Sequence, residues 1–127
     1  MRRLIGASLL LVLLASAGCG LRTKVPPVAN AGPDFRVEVG GPIVLDGSKS
    51  YDPDGGSMAR YDWQIVGVPE GHEERLGEWL VEGNGEPVWT SPWVAAKGEK
   101  GEWVIRLHAI DEEGQEATDD LVIKIRP

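Results

Sequence analysis

The chain has 127 residues, and its 13 lysines and arginines are outnumbered by 20 aspartates and glutamates, which gives a net charge of −7. This length suits one small domain and leaves no room for a second core. The acidic balance argues against nucleic acid as a partner, because it repels a phosphate backbone.

The N-terminal segment, residues 1–18, has the organisation of an export signal. Arg2 and Arg3 precede an apolar run from Leu4 to Ala17, and small residues then lead to Cys19. The run is short for a membrane-spanning helix, which needs about 20 residues. We expect this segment to be removed, which would leave 11 basic against 20 acidic side chains and a net charge of −9.

Cys19 is the only cysteine of the chain, so no internal disulfide can form. The sequence Ser16-Ala17-Gly18-Cys19 resembles the bacterial lipobox, and this resemblance implies cleavage before Cys19 and acylation of Cys19. Two or three acyl chains would anchor the protein stably, whereas one chain binds only marginally. The alternative is that Cys19 stays unlipidated in an ordinary secretion signal.

Residues 19–27 follow as the lipidated N-terminus and a short tether, stiffened by Pro26 and Pro27. Residue 20 is Gly rather than Asp, which in proteobacterial lipoproteins would imply sorting to the outer membrane. We therefore expect a lipid-anchored protein of the bacterial cell envelope, held at the outer membrane.

Residues 28–127 read as one all-β domain, because short apolar alternations are separated by Gly, Pro, Asp and Ser clusters. The alternation places Trp63 and Trp103 in the core. Asp111 to Gly114 is typical of a hairpin loop with Gly in the left-handed conformation. Inward-facing residues are predicted at Phe35, Val37, Val39, Ile43, Leu45, Tyr61, Trp63, Ile65, Trp103, Ile105, Leu107, Ala109, Leu121, Ile123 and Ile125.

Residues 25–127 resemble the PKD domains, on motifs that appear in the family's order and spacing. These motifs are Ala29-Asn30-Ala31-Gly32-Pro33, Leu45-Asp46-Gly47-Ser48, Ser50-Tyr51-Asp52-Pro53-Asp54-Gly55 and Tyr61-Asp62-Trp63. The resemblance implies an immunoglobulin-like antiparallel β-sandwich of about seven strands. It also implies protein–protein or protein–carbohydrate contact outside the cytoplasm.

A calcium site is one interpretation of the acidic loop after the second predicted strand. Some PKD-like domains bind calcium through an early Asn with Ser and Asp from this loop, and calcium takes six to eight oxygen ligands. The alternative is that Asp52 and Asp54 hydrogen-bond backbone amides in turns, so no cofactor is required. The residues nominated by the resemblance are Asn30, Ser48, Asp52, Asp54 and Asp111.

Three further tryptophans, Trp79, Trp89 and Trp93, are candidate ligand-binding residues, because flat exposed rings stack on sugars. The alternative is that they fill the sandwich, which we expect for most of their area. An exposed contiguous pair would favour glycan binding.

No catalytic constellation is present in the sequence, so we expect no enzymatic activity. The histidines His72 and His108 are isolated, and His108 is expected to be solvated on the polar face of a strand. The function that remains is a non-enzymatic envelope lipoprotein whose domain mediates protein–protein interaction. The alternatives are a carbohydrate-binding surface module and a calcium-stabilised structural spacer.

Overall fold

The computed structural model describes residues 25–127, and these residues form two facing β-sheets. The segment predicted to be an export signal and Cys19, the predicted lipidation site, lie outside the described residues, so those expectations stay predictions. The described part contains two short 3₁₀ helices, Glu73–Arg75 and Lys97–Glu99. None of its helices has the length and apolar character needed to cross a bilayer.

The larger sheet has five strands and the smaller sheet has two. The strands are β1 (Phe35–Glu38), β2 (Val44–Asp46), β3 (Met58–Gly67), β4 (Trp79–Val81), β5 (Val88–Thr90), β6 (Gly101–Asp111) and β7 (Glu116–Arg126). The order in the larger sheet is β1-β7-β6-β3-β4, and β2 pairs with β5 in the smaller one. The predicted all-β sandwich of about seven strands is confirmed.

Strand pairing is antiparallel everywhere except at one edge of the larger sheet. There β1 runs parallel to β7, with Phe35 beside Ile123. Strands β6 and β7 form the predicted hairpin, and Gly114 in its loop has a positive φ of 86°. A side chain at that backbone conformation would be strained, which is why a glycine follows Asp111-Glu112-Glu113.

The core lies between the sheets and is built from the inward-facing residues that the alternation predicts. Trp63 and Trp103 are completely buried. Ile43 and Leu45, on the side of the smaller sheet, are completely buried as well. Burial of an aliphatic side chain such as Ile43 or Leu45 stabilises the fold by about 1.5–3 kcal/mol relative to an exposed one. Both tryptophan predictions are confirmed.

Candidate functional site

The three undecided tryptophans do not share one environment. Trp89 lies opposite Leu45 in the smaller sheet, and both Trp89 and Trp93 are partly buried against the core. Trp79 is 38 % exposed and is the only tryptophan among the exposed large hydrophobic residues of the described chain. The structure therefore separates one surface tryptophan from two that help to close the sandwich.

Trp79 lies on the face of the larger sheet that points away from the core. Its partner across the β3–β4 ladder is Gln64, whose neighbours Trp63 and Ile65 point inward. The Trp79 ring stacks on His108 of β6, with 4.7 Å between ring centroids and an interplanar angle of 48°. One face of the indole is thus held by protein.

Both ring nitrogens of His108 face an acceptor oxygen, and the imidazole donates to one of the two when it is neutral. Nδ1 lies 2.6 Å from Oε2 of Glu116, and Nε2 lies 2.9 Å from Oε1 of Gln64. The Gln64 amide is itself oriented, because its Nε2 donates to the carbonyl of Gly77 at 3.1 Å. His108 and its partners form a rigid support for Trp79.

The expectation that His108 is solvated is wrong. Its side chain is only 14 % exposed. Strand β4 adds to the sheet beside β3, and the Trp79 ring covers the imidazole. The sequence around His108 carries no signal for this contact, because the covering residue comes from a distant and short strand.

The row of the outer face that begins with Trp79 and Gln64 continues across β6 and β7 as a polar surface. Arg106 donates two hydrogen bonds to Asp120, at 2.8 and 3.1 Å, and both side chains are 40 % exposed. Hydrogen bonding to Asp120 raises the pKa of Arg106. Arg106 lies beside Gln64, so adjacent strands place Trp79, Gln64, Arg106 and Asp120 in one row.

The segment that carries β4 is strongly acidic. Residues 70–86 contain six glutamates and one basic residue, Arg75. That arginine is already paired with Glu78 and Glu99, at 2.8 Å in each case. The other five glutamates of the segment are exposed to solvent, as are Trp79 and Leu76.

Arg75 also explains why Trp93 is a structural residue. Its guanidinium carbon lies 4.9 Å from the Trp93 ring, and the Trp93 Nε1 donates to Oε1 of Glu99 at 2.9 Å. Hydrogen bonding between Arg75 and Glu78 raises the pKa of the arginine and lowers that of the glutamate. This closed cluster leaves Trp93 unavailable as a flat sugar platform.

Three of the predicted calcium ligands accept hydrogen bonds from backbone amides. Oδ1 of Asn30 accepts from the amide of Gly32, and Oδ1 of Asp52 accepts from the amide of Asp54, both at 2.9 Å. Oδ2 of Asp54 accepts from the amide of Val25 at 3.0 Å. The first two are the turn bonds that the alternative interpretation expects, whereas the third joins the loop to a residue 29 positions earlier.

Ser48 and Asp111 are the other two predicted calcium ligands. Ser48 is exposed, and Asp111 is buried with Oδ1 accepting from the amides of Glu113 and Gln115. Oδ2 of Asp111 and Oε1 of Gln115 are buried without a hydrogen-bond partner in the protein. Over residues 25–127, no group of three or more His, Cys, Asp or Glu residues could hold a metal ion. Calcium binding at these residues stays one of the two interpretations of the loop.

Solved structures place this architecture in the immunoglobulin-like class. The chain is similar to the PKD domain from KIAA 1837 protein, at 24% identity and a TM-score of 0.55 over 84% of this chain and 92% of that one. It is also similar to the fibronectin(III)-like modules of Clostridium thermocellum CbhA, at 18% identity and a TM-score of 0.58 over 83% of this chain and 49% of that one. At these identities the likeness concerns the fold alone.

A third similar structure belongs to a nucleoside hydrolase-related hypothetical protein from Saccharophagus degradans that is associated with carbohydrate metabolism. The identity is 20% and the TM-score is 0.58, over 82% of this chain and 26% of that one. This chain thus spans about a quarter of that protein. A search of curated proteins gave no match.

The family is established by a match to the family model described as K319L-like, PKD domain, over residues 31–125. The chain therefore belongs to the K319L-like PKD family. Domains of this immunoglobulin-like type are generally non-catalytic. The resemblance seen in the sequence motifs is confirmed.

Proposed function

We propose that the chain is a non-enzymatic cell-envelope lipoprotein whose single PKD domain binds another protein outside the cytoplasm. The observation that carries the proposal is the exposed Trp79 held on His108 at a ring distance of 4.7 Å. Exposed aromatic residues on rigid supports are typical binding hot spots, because little side-chain entropy is lost when a partner packs on them.

Protein is favoured over glycan as the ligand because only one of the candidate indoles is exposed. A sugar-binding platform of several rings would need Trp89 or Trp93 beside Trp79, and both pack against the core. The polar row formed by Gln64, Arg106 and Asp120 supports carbohydrate binding as the second candidate, since its donors and acceptors are held in fixed orientations.

The lipid anchor and the cellular location that we propose are supported by the sequence alone. Cys19 and the apolar segment before it support lipid attachment, and Gly20 supports the outer membrane as the destination. A structural spacer is less well supported, because the described residues form one domain of two sheets and a longer reach would need repeats.

Anchoring is tested by expressing the full chain and Cys19→Ser in a bacterium that processes lipoproteins. We expect the unaltered chain in the membrane fraction, with a mature N-terminus whose mass includes acyl chains. The Cys19→Ser chain should keep its signal segment or leave the membrane fraction. A soluble, unacylated mature chain with Cys19 intact would refute the anchor.

Ligand class is tested by photo-crosslinking in producing cells and by a glycan array probed with the purified full chain in detergent. We expect photo-crosslinking in producing cells to give a protein adduct, while a glycan array gives no binding above that of Trp79→Ala. The matched control for the exposed surface is Val88→Ala, since Val88 is also exposed but lies on the smaller sheet. Glycan binding that is lost in Trp79→Ala would replace the proposal with the second candidate.

A further inference from the structure

We propose that the domain docks onto the bilayer that holds its lipid anchor, through the surface from which the tether emerges. This inference rests on the proposed function, because it requires lipid attachment at Cys19. The docking surface consists of residues 25–28 and residues 48–54. Its occupant is the headgroup region of a phospholipid bilayer.

The tether keeps the docking surface close to the membrane. Six residues, 19–24, reach from the acylated Cys19 to the residue before Val25. An extended chain spans at most about 3.3–3.6 Å per residue, so Val25 lies within about 20 Å of the anchored cysteine. A short tether raises the effective concentration of one partner around the other, so even a weak contact with the bilayer is populated.

The start of the tether is fixed to the domain by hydrogen bonds. Val28 and Tyr51 form an antiparallel bridge, from Val28 N to Tyr51 O at 2.8 Å and from Tyr51 N to Val28 O at 3.0 Å. Residues directly opposite in such a pair carry their side chains on the same side. The Val25 amide donates to Oδ2 of Asp54 at 3.0 Å, and Pro27 is buried. The chain therefore meets the tether beside Val28 and Tyr51.

Five exposed side chains of the docking surface are apolar. Val25 and Val28 are each 40 % exposed and Tyr51 is 54 % exposed, while Pro26 and Pro53 are exposed as well. Scattered exposed apolar residues are ordinary, but these five belong to two short segments that are hydrogen-bonded to each other. A tyrosine suits the membrane interface, because its ring is apolar and its hydroxyl is polar.

Charge favours this surface over the rest of the domain. Residues 19–28 and 46–54, which include the tether and the docking surface, carry three basic and three acidic side chains. The other residues that follow the predicted signal carry eight basic and seventeen acidic ones. A bilayer that contains anionic lipid repels acidic surfaces, so the region of balanced charge approaches it with the least repulsion.

Docking at this surface leaves Trp79 accessible to a partner protein. Strand β3 begins at Met58, shortly after the loop that forms part of the docking surface. Gln64, which lies opposite Trp79, is six residues further along β3, a distance of about 20 Å. The bilayer contact would therefore orient the domain without covering the surface that we propose for protein binding.

Docking is tested with the acylated full chain in vesicles of phosphatidylethanolamine and phosphatidylglycerol. Acylation blocks the thiol of Cys19, the only cysteine, so a fluorophore can be attached to one introduced cysteine. The variants are Tyr51→Cys, Glu82→Cys and Glu102→Cys, all at exposed positions, with the second and third away from the docking surface. We expect lipids that carry a quencher in the headgroup region to quench position 51 several-fold more strongly than position 82 or 102.

The role of the apolar side chains is measured with a fluorophore at Ser48→Cys, an exposed position three residues before Tyr51. Val28→Ser with Tyr51→Ser should reduce quenching at position 48 several-fold. The matched control is Leu76→Ser with Val94→Ser, two exposed apolar residues of other loops, which should leave the quenching unchanged. Both pairs replace exposed side chains, so folding is expected to survive, and urea denaturation of the labelled chains checks it.

The outcomes separate this inference from the proposed function. Equal quenching at positions 51, 82 and 102, or weaker quenching at position 51, would overturn docking at this surface while the lipid anchor stands. Equal quenching at position 48 in the two serine pairs would overturn the apolar contact. A mass that shows Cys19 without acyl chains would overturn the anchor and the docking together, while protein binding through Trp79 stands.

Discussion

Arg75 lies over the indole ring of Trp103, with its guanidinium carbon 5.4 Å from the ring centroid. The arginine belongs to a surface 3₁₀ helix, whereas Trp103 is completely buried. This contact covers one region of the core. The same region is also closed by the hydrogen bond that the Trp103 Nε1 donates to the carbonyl of Glu99, at 2.7 Å. Arg75 therefore links the acidic segment that carries β4 to the interior of the sandwich.

The first prediction concerns Arg75→Lys. Lysine keeps the charge but loses the planar group that stacks on the rings and binds Glu78 through two nitrogens. We expect the free energy of unfolding to fall by about 1–2 kcal/mol, measured by urea denaturation. Arg106→Lys is the control, since its pair with Asp120 is 40 % exposed and surface pairs contribute about 0–1 kcal/mol. Equal losses in the two variants would contradict this assignment.

The second prediction concerns Gly47, where the chain passes close to the core. A Cβ at this position would lie 3.2 Å from side-chain atoms of Leu107 and Tyr61. We expect Gly47→Ala to lower the free energy of unfolding by about 1–3 kcal/mol, because a packed core accommodates an added methyl group poorly. Gly98→Ala is the matched control, since its Cβ would meet nothing within 4 Å. Equal denaturation midpoints for Gly47→Ala and Gly98→Ala would show that the core accommodates the added methyl group at Gly47.

The third prediction is a pH dependence that comes from Glu78. The hydrogen bond from Arg75 lowers the folded-state pKa of this carboxyl below its usual value of 4.5. The stabilisation is therefore fully present above pH 4.5 and is lost as the pH falls through the lowered folded-state value. We expect Glu78→Gln to be less stable than the unaltered chain at pH 7, with the difference shrinking towards pH 3.

The control for that measurement is Glu74→Gln. Glu74 is exposed, and the described residues give it no ion-pair partner. Its replacement should leave the pH profile of unfolding close to that of the unaltered chain. A difference between Glu78→Gln and the unaltered chain that stays constant from pH 7 to pH 3 would refute the linkage.

The framework of the fold was predictable because it depends on local patterns. Strict alternation along β6 assigns Trp103 and Leu107 to the core, and both are completely buried. Turn chemistry assigns Gly114 to the left-handed region, and its φ is 86°. Period-two alternation and turn residues act over a few positions, so a single sequence carries them.

The candidate site was only partly predictable, because it depends on contacts between distant residues. Trp79 was nominated, but nothing in the sequence distinguishes it from Trp93, whose partner Glu99 belongs to a short 3₁₀ helix. The stacking of Trp79 on His108 requires β4 to sit beside β3 at one particular register. Short strands carry too few alternating residues to fix such a register from sequence.

The last prediction separates the two interpretations of the acidic loop. Asp52 is 8 % exposed, and its Oδ1 accepts the amide hydrogen of Asp54, so it acts as a turn residue. We expect Asp52→Ala to cost about 1 kcal/mol of unfolding free energy, while Asp52→Asn keeps an acceptor and costs less. Millimolar calcium should leave the melting temperature of both variants and of the unaltered chain unchanged.

A calcium-dependent rise in the melting temperature of the unaltered chain would favour the calcium site instead. The decisive variant is then Asp111→Asn, because Oδ2 of Asp111 is buried without a protein partner and would be the oxygen most in need of a cation. A rise that disappears in Asp111→Asn would place calcium at that carboxylate. A rise that persists in Asp111→Asn but disappears in Asp52→Asn would place calcium in the loop that follows β2. Because an amide replaces a carboxylate without loss of volume, either pattern reports on charge and coordination rather than on packing.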